Sequence, residues 1–357
     1  MKTFKLSLFL CFLNLAINSS QAQQTENVIL ITLDGLRWQE LFTGADSLLV
    51  DDSGYVGNPE ALVEEYWRTD PSERREILMP FFWQTIVNHG QIYGNRKFDN
   101  KVNCVNKLWF SYPGYSEILT GKADDERITS NSKTNNPNVT VLEYVNNEKK
   151  FAGKVAAFGS WDVFPYIINE ERSGIPVNAG YEAQEDNPTE SEQVTNRLMK
   201  EVYGPWSTVR MDPFTHQLAL AHLKNKKPRL LYISYGETDD WAHEGEYDHY
   251  LHSATQTDGF IKEIWEYVQS ESQYKNKTTL IITTDHGRGT HPKDTWRNHG
   301  ASVPNGGEIW LAIMGPEFDA DGEVKINDQK YQNQVASTIA KLLGVKIADP
   351  EIGKPLY

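Results

Sequence analysis

Carboxylates and imidazoles in this 357-residue chain gather directly after apolar runs. The run 28–33 ends in Asp34-Gly35, the run 229–234 leads into Glu237-Thr238-Asp239-Asp240-Trp241-Ala242-His243, and the run 279–283 ends in Asp285-His286-Gly287. His291 and His299 follow, the latter within Arg297-Asn298-His299-Gly300, and six of the nine histidines fall between His243 and His299. Imidazole and carboxylate are the ligands of borderline divalent ions such as zinc, and two such sets at neighbouring strand ends suit two ions about 4 Å apart. Asp239 and His243 are four residues apart, about one helical turn, so both can face the same ion. Taken singly, each Asp is as well explained as a helix cap or turn residue. Their joint occurrence at three strand ends is what points to metal.

A nucleophile belongs on another loop, at a helix N-terminus whose positive dipole end favours an alkoxide or a bound anion. The segment Ser111-Tyr112-Pro113-Gly114-Tyr115-Ser116-Glu117-Ile118-Leu119-Thr120-Gly121 supplies one. Pro113 and Gly114 predict a tight turn, after which Ser116 stands early in a short helix. A serine hydroxyl beside a divalent cation loses its proton near neutral pH without a histidine base. The plainer reading of Ser116 is a helix cap.

These residues need a scaffold that brings distant strand ends together. Continuous apolar runs at 28–33, 154–158, 229–234, 279–283 and 308–314 predict strands buried on both faces. Helical spacing recurs at 141–150, 214–226, 251–268 and 335–343, with Leu251, Ala254, Ile261, Ile264, Trp265 and Val268 on one stripe. Alternation of strand and helix predicts an α/β fold: a doubly wound, mostly parallel sheet with helices on both faces. Ligands in such sheets collect beyond the carboxyl ends of the strands, where the Asp and His residues are. No linker divides the chain, so 23–357 reads as one domain. The stretch 160–212, acidic around Glu182 to Glu192 and carrying Trp161, Phe164, Tyr166 and Trp206, reads as an inserted cap over the site.

Lys2 and Lys5, an apolar run 6–17 and Ser20-Gln21-Ala22 read as a secretory signal over 1–22, hence a secreted or periplasmic protein. That run is too short to span a membrane, and no later stretch approaches the ~20 apolar residues required, so no stable membrane insertion is expected. Bulky Leu8-Phe9-Leu10 before Cys11 excludes a lipid-modified cysteine. Cleavage leaves Cys104 as the only cysteine, which rules out an internal disulfide and a thiolate metal cluster. A net charge of −14 argues against a nucleic-acid polymer as partner, while 39% hydrophobic residues fit a packed core.

In order, Leu33-Asp34-Gly35-Leu36, the segment Tyr112 to Gly121, Thr238-Asp239 with His243, Thr284-Asp285-His286-Gly287 and His299-Gly300 resemble the alkaline phosphatase superfamily. The likeness is to its branch of nucleotide pyrophosphatase/phosphodiesterase-like and phosphoglycerate mutase-like metalloenzymes. It implies an alkaline-phosphatase-like fold and two divalent ions, zinc by family habit. Asp34, Asp285 and His286 would hold one ion with the oxygen of Ser116, and Asp239, His243 and His299 the other. His299 is preferred to His291 because Gly300 and then a strand follow it. The implied reaction is hydrolysis of a small-molecule phosphate mono- or diester, with in-line attack by Ser116 and a phosphoseryl intermediate released by water. Arg37, Trp38, Asn131, Arg288 and Arg297 flank this site as candidates to hold an anionic or aromatic part of the substrate.

Three rivals follow from the same residues. Serine stands where the phosphodiesterase branch uses threonine, Gly114 where an asparagine would help to hold phosphate, and Ser116-Glu117 resembles the mutase branch. Sulfatases share the fold, but their Cys-x-Pro-x-Arg type of segment and paired aspartates after the first strand are missing. A non-catalytic, metal-stabilised protein that binds glycans through Trp161 to Tyr166 is the alternative from outside catalysis.

Overall fold

The computed structural model describes residues 24–357, so the expected signal over 1–22 lies outside the described residues. Eleven strands form in chain order: β1 Asn27–Leu33, β2 Gln91–Tyr93, β3 Asn100–Asn103, β4 Val155–Gly159, β5 Val177–Ala179, β6 Leu230–Tyr235, β7 Thr278–Thr283, β8 Glu308–Ile309, β9 Leu311–Met314, β10 Gly322–Glu323 and β11 Asp328–Tyr331. Eight make one sheet in the order β10-β2-β9-β7-β1-β6-β4-β5, and β11-β3-β8 make a second. The block β7-β1-β6-β4-β5 is parallel throughout, while β9 runs antiparallel to both neighbours.

The continuous burial of β1 and its run Val28 to Ile31 have their cause in this position. Ile29, Ile31 and Leu33 enter one core and Val28 and Leu30 the other, so each face of the sheet carries its own packed layer. The helices Asp212–Lys226 and Tyr247–Ser270 lie in the first layer, and Ser111–Thr120, Val141–Asn147 and Gln334–Leu342 in the second. Burying an aliphatic side chain on such a face contributes roughly 1.5–3 kcal/mol. The doubly wound sheet with helices on both faces is therefore present, with an antiparallel strand toward one end.

Two expectations change in detail. The apolar run 308–314 is not one strand: it breaks at Trp310, whose buried indole donates to the Leu36 carbonyl at 2.8 Å, and the chain passes there from the smaller sheet to the larger. The stretch 160–212 is only partly an excursion. Its β5 pairs with β4 as the last strand of the main sheet, and backbone bonds Asp162 to Thr208 and Arg210 to Ser160, both 3.0 Å, return the segment to the end of β4. No helix among the described residues is long and apolar enough to cross a membrane.

Candidate metal centre

Beyond the carboxyl ends of β1, β6 and β7, six side chains converge in two triads. Asp34, Asp285 and His286 form the first, and Asp239, His243 and His299 the second. β1 delivers Asp34, and the next residue, Gly35, has φ 59°, with its N–H on Asp285 Oδ1 at 3.1 Å. Only glycine serves here, because a Cβ would collide with Arg288 and Asp239. The helix Glu237–Glu244 follows β6, and its four-residue spacing puts His243 Nε2 3.2 Å from Asp239 Oδ2. β7 delivers Asp285 and His286, both fully buried.

The first triad fits a cation on a structural test. Asp34 Oδ1, Asp285 Oδ2 and His286 Nε2 are buried without a hydrogen-bond partner. His286 Nε2 lies 3.2 Å from Asp34 Oδ1 and 3.4 Å from Asp285 Oδ2. Donors around a tetrahedral ion with bonds of 2.0–2.1 Å sit about 3.3 Å apart, so these orphaned atoms have the spacing of ligands. The Gly287 carbonyl, 3.1 Å from His286 Nδ1, assigns the proton to Nδ1 and leaves the Nε2 lone pair free.

In the second triad His243 Nε2 and His299 Nε2 stand 3.0 Å apart, and the Trp109 carbonyl takes the His299 Nδ1 proton at 3.1 Å. The triads adjoin: His286 Nε2 is 3.8 Å from Asp239 Oδ1, and the His286 and His299 rings stack with centroids 3.9 Å apart.

Charge follows from this crowding. Burial, then the neighbouring Asp239 charge, pushes the Asp34 carboxyl well up, and burial with Asp34 does the same to Asp285. Burial pushes Asp239 in the same direction, but Arg288, His243 and His299 around it hold it well below the usual range. Burial and the adjacent His286 depress His299. Buried carboxylates with open lone pairs are costly unless a cation joins them.

The helix that carries the expected nucleophile, Ser111–Thr120, begins earlier than the sequence reading placed it. It starts at Ser111, not after Pro113-Gly114, and Pro113 sits in its first turn, where a missing N–H costs nothing. At about 100° per residue, Gly114 and Tyr115 flank the direction of Ser111, and these contact the centre: Tyr115 Oη donates to Asp34 Oδ2 at 2.8 Å, and a Cβ on Gly114 would strike the Asp285 carbonyl. Ser116 points about 140° away from Ser111. Its Oγ is buried and accepts from Asn136 Nδ2 at 3.0 Å, which also bonds the Ile167 carbonyl. Ser116 is therefore a packed helix-interior residue, while Ser111 is the first residue of the helix, whose Gly114 and Tyr115 touch the centre. A helix starting ahead of its proline was the missed signal.

The flanking residues divide. Arg37 is buried against Glu40, Asp46 and the Gly289 carbonyl, Arg288 against Asp239 and the carbonyls of Trp296 and Arg297, and Arg297 bonds the His243 carbonyl at 2.8 Å. All three brace the loops of the centre. Trp38 donates to Glu308 at 3.0 Å. Asn131 is exposed, and its Oδ1 accepts from the Tyr112 amide at 3.0 Å, which sets it at the same helix end as Ser111. His291 is exposed and belongs to neither triad.

Comparison with known proteins gives three findings. Residues 54–352 match the family model described as type I phosphodiesterase / nucleotide pyrophosphatase, a stretch that holds every residue of both triads except Asp34. The 2,3-bisphosphoglycerate-independent phosphoglycerate mutase of Gracilaria tenuistipitata var. liui is 23% identical over 288 residues, 77% of this chain and 54% of the mutase, so the chain spans about half the length of that curated relative. Among solved structures, the lipoteichoic acid synthase LtaP from Listeria monocytogenes aligns with a TM-score of 0.59 at 11% identity, covering 93% of this chain and 75% of its own. Wild-type alkaline phosphatase PafA aligns with a TM-score of 0.59 at 10% identity, covering 93% and 98%. The structural likenesses establish an alkaline-phosphatase-like fold.

Proposed function

The chain belongs to the type I phosphodiesterase / nucleotide pyrophosphatase family, and from that premise we propose that it is a hydrolase of small-molecule phosphate esters. The observation that carries this reading is the pair of adjoining triads, three of whose atoms are buried and unpartnered, beside a helix that begins at Ser111. Asp34, Asp285 and His286 would hold one divalent ion and Asp239, His243 and His299 the second, with zinc suited to this nitrogen and oxygen donor set. When bound, two such ions supply charge to activate the nucleophile and to stabilise the leaving oxygen. Export through the segment 1–22 is part of the same proposal.

Ser111 is the proposed nucleophile. Its place at the first helical position sets the hydroxyl at the positive end of the helix dipole, which stabilises negative charge as it attacks phosphorus. Tyr115, by donating to Asp34, keeps one carboxylate oxygen turned away and the other directed at the triad. Asn131, with its Oδ1 engaged, keeps its amide N–H groups for a phosphoryl oxygen. The resulting phosphoserine is released by water.

The test compares Ser111→Ala with Ser116→Ala on p-nitrophenyl phosphate, bis-p-nitrophenyl phosphate and p-nitrophenyl sulfate. Ser111→Ala is expected to lose roughly 1,000-fold or more in kcat/KM on the phosphate esters, the order of losing an activated nucleophile. Ser116→Ala should stay within about tenfold of wild type. The reverse ranking sinks the assignment of Ser111, and turnover of the sulfate alone sinks the phosphoesterase reading. The mutase-type relative favours a second reading, transfer to another hydroxyl. Release of inorganic phosphate from 3-phosphoglycerate, against formation of its isomer, separates the two.

A further inference from the structure

Glu117 is a fully enclosed carboxylate outside the two triads. Although it belongs to the helix that begins with Ser111, its side chain is fully buried on the side away from the centre, and burial pushes it up to about 7. Its oxygens accept from the Val105 amide at 2.9 and 3.1 Å and from the Asn106 amide and Asn106 Nδ2, both at 2.8 Å. The Asn106 side chain, so fixed, turns its Oδ1 to the amides of Leu108 at 3.2 Å and Trp109 at 2.9 Å. Trp109 is held at φ 51°, the left-handed region that a tryptophan seldom adopts, and from there its carbonyl takes the Nδ1 proton of His299. Two residues later the helix begins at Ser111.

We infer that Glu117 is a positioning residue for the second triad: through Asn106 it holds Trp109 in its left-handed conformation, and the Trp109 carbonyl thereby fixes the tautomer and direction of the His299 ring. A carboxylate suits this place because both its oxygens accept, while a glutamine offers one acceptor and two donors where the loop presents only donors. The relay runs from the back of the helix through one loop to the ligand, and it places the hydroxyl of Ser111 and the imidazole of His299 from the same fixed turn. The inference rests on the reading of Asp239, His243 and His299 as ligands.

The experiment titrates the chelator-stripped full chain with Co2+ and follows the visible absorbance, which reports the coordination of each ion. Wild type is expected to take up two ions. Glu117→Gln should bind one as wild type does and the other about tenfold or more weakly, with an altered spectrum, the usual scale for losing a residue that orients a ligand. Adding Trp109→Asn to Glu117→Gln should recover most of the lost affinity, because asparagine tolerates the left-handed conformation on its own. A purely structural role for Glu117 predicts no such recovery. Should Glu117→Gln fail to fold, Asn106→Ala carries the same expectation. Two cobalt ions in wild type with an unaltered Glu117→Gln titration, or no recovery in the double variant, overturns the relay; uptake of fewer than two ions by wild type overturns the ligand reading beneath it.

Discussion

His299 brings one of only three donors to the second triad, so His299→Ala is expected to leave one ion bound tightly per chain and the second about tenfold or more weakly, as measured by metal analysis after dialysis. His291→Ala, changing an exposed side chain in neither triad, should leave metal content as in wild type. Gly114→Ala presses a methyl group on the Asp285 carbonyl and is expected to cost activity by about tenfold or more while the chain stays folded, read by kinetics beside circular dichroism. The convergence of these six side chains was legible because chemistry and position coincide: an Asp or His just past a buried strand has few structural reasons to recur three times. The serine was not legible in the same way. Two serines five residues apart share one segment, and which one faces the centre depends on where the helix starts. Pro113-Gly114 reads as a turn, yet Pro is equally at home in a first helical turn, and the close approach of Gly114 to Asp285 decides between the two.

Elements hold these residues through buried caps. Asp258, on the helix Tyr247–Ser270, accepts from the backbone amides of Phe81 at 2.7 Å and Phe82 at 2.9 Å, joining the region after residue 78 to the first core layer. Burial, only partly offset by these bonds, pushes its carboxyl up to about 7. The folded chain thus binds this proton more tightly than the unfolded one, so the stability associated with it is present in acid and lost as pH rises from about 4 to about 7. Denaturant midpoints of wild type and Asp258→Asn across that range should show wild type losing ground to the variant with rising pH, at a slope of at most about 1.4 kcal/mol per pH unit. Parallel curves would mean that Asp258 does not titrate in this range. Strands built on long apolar runs were legible because burial on both faces leaves few polar positions. The split of 308–314 at Trp310 was not, since a change of sheet keeps every residue as buried as before, and the three-residue β5 carries too little pattern to separate it from a loop.

At the scale of the molecule, the two triads bring together β1, the helix after β6, the end of β7 and the loop that carries His299, so ions bound there would act as cross-links of the native state alone. Ions at a hundredfold excess over Kd contribute about 2.7 kcal/mol, and stripping them with a chelator is expected to lower Tm by roughly 5 °C or more, recovered on adding zinc. A Tm indifferent to chelator would argue that the folded chain carries no tightly held ions. The order of the main sheet has one more consequence. β1 is made before every other described strand, yet its two hydrogen-bonded neighbours lie about 200 and 250 residues downstream, as the pairings Val28 with Leu230 and Asn27 with Thr278 record. Until those partners are made, β1 is an unmated greasy ribbon and neither core layer can close around it, a condition that invites holdase chaperones.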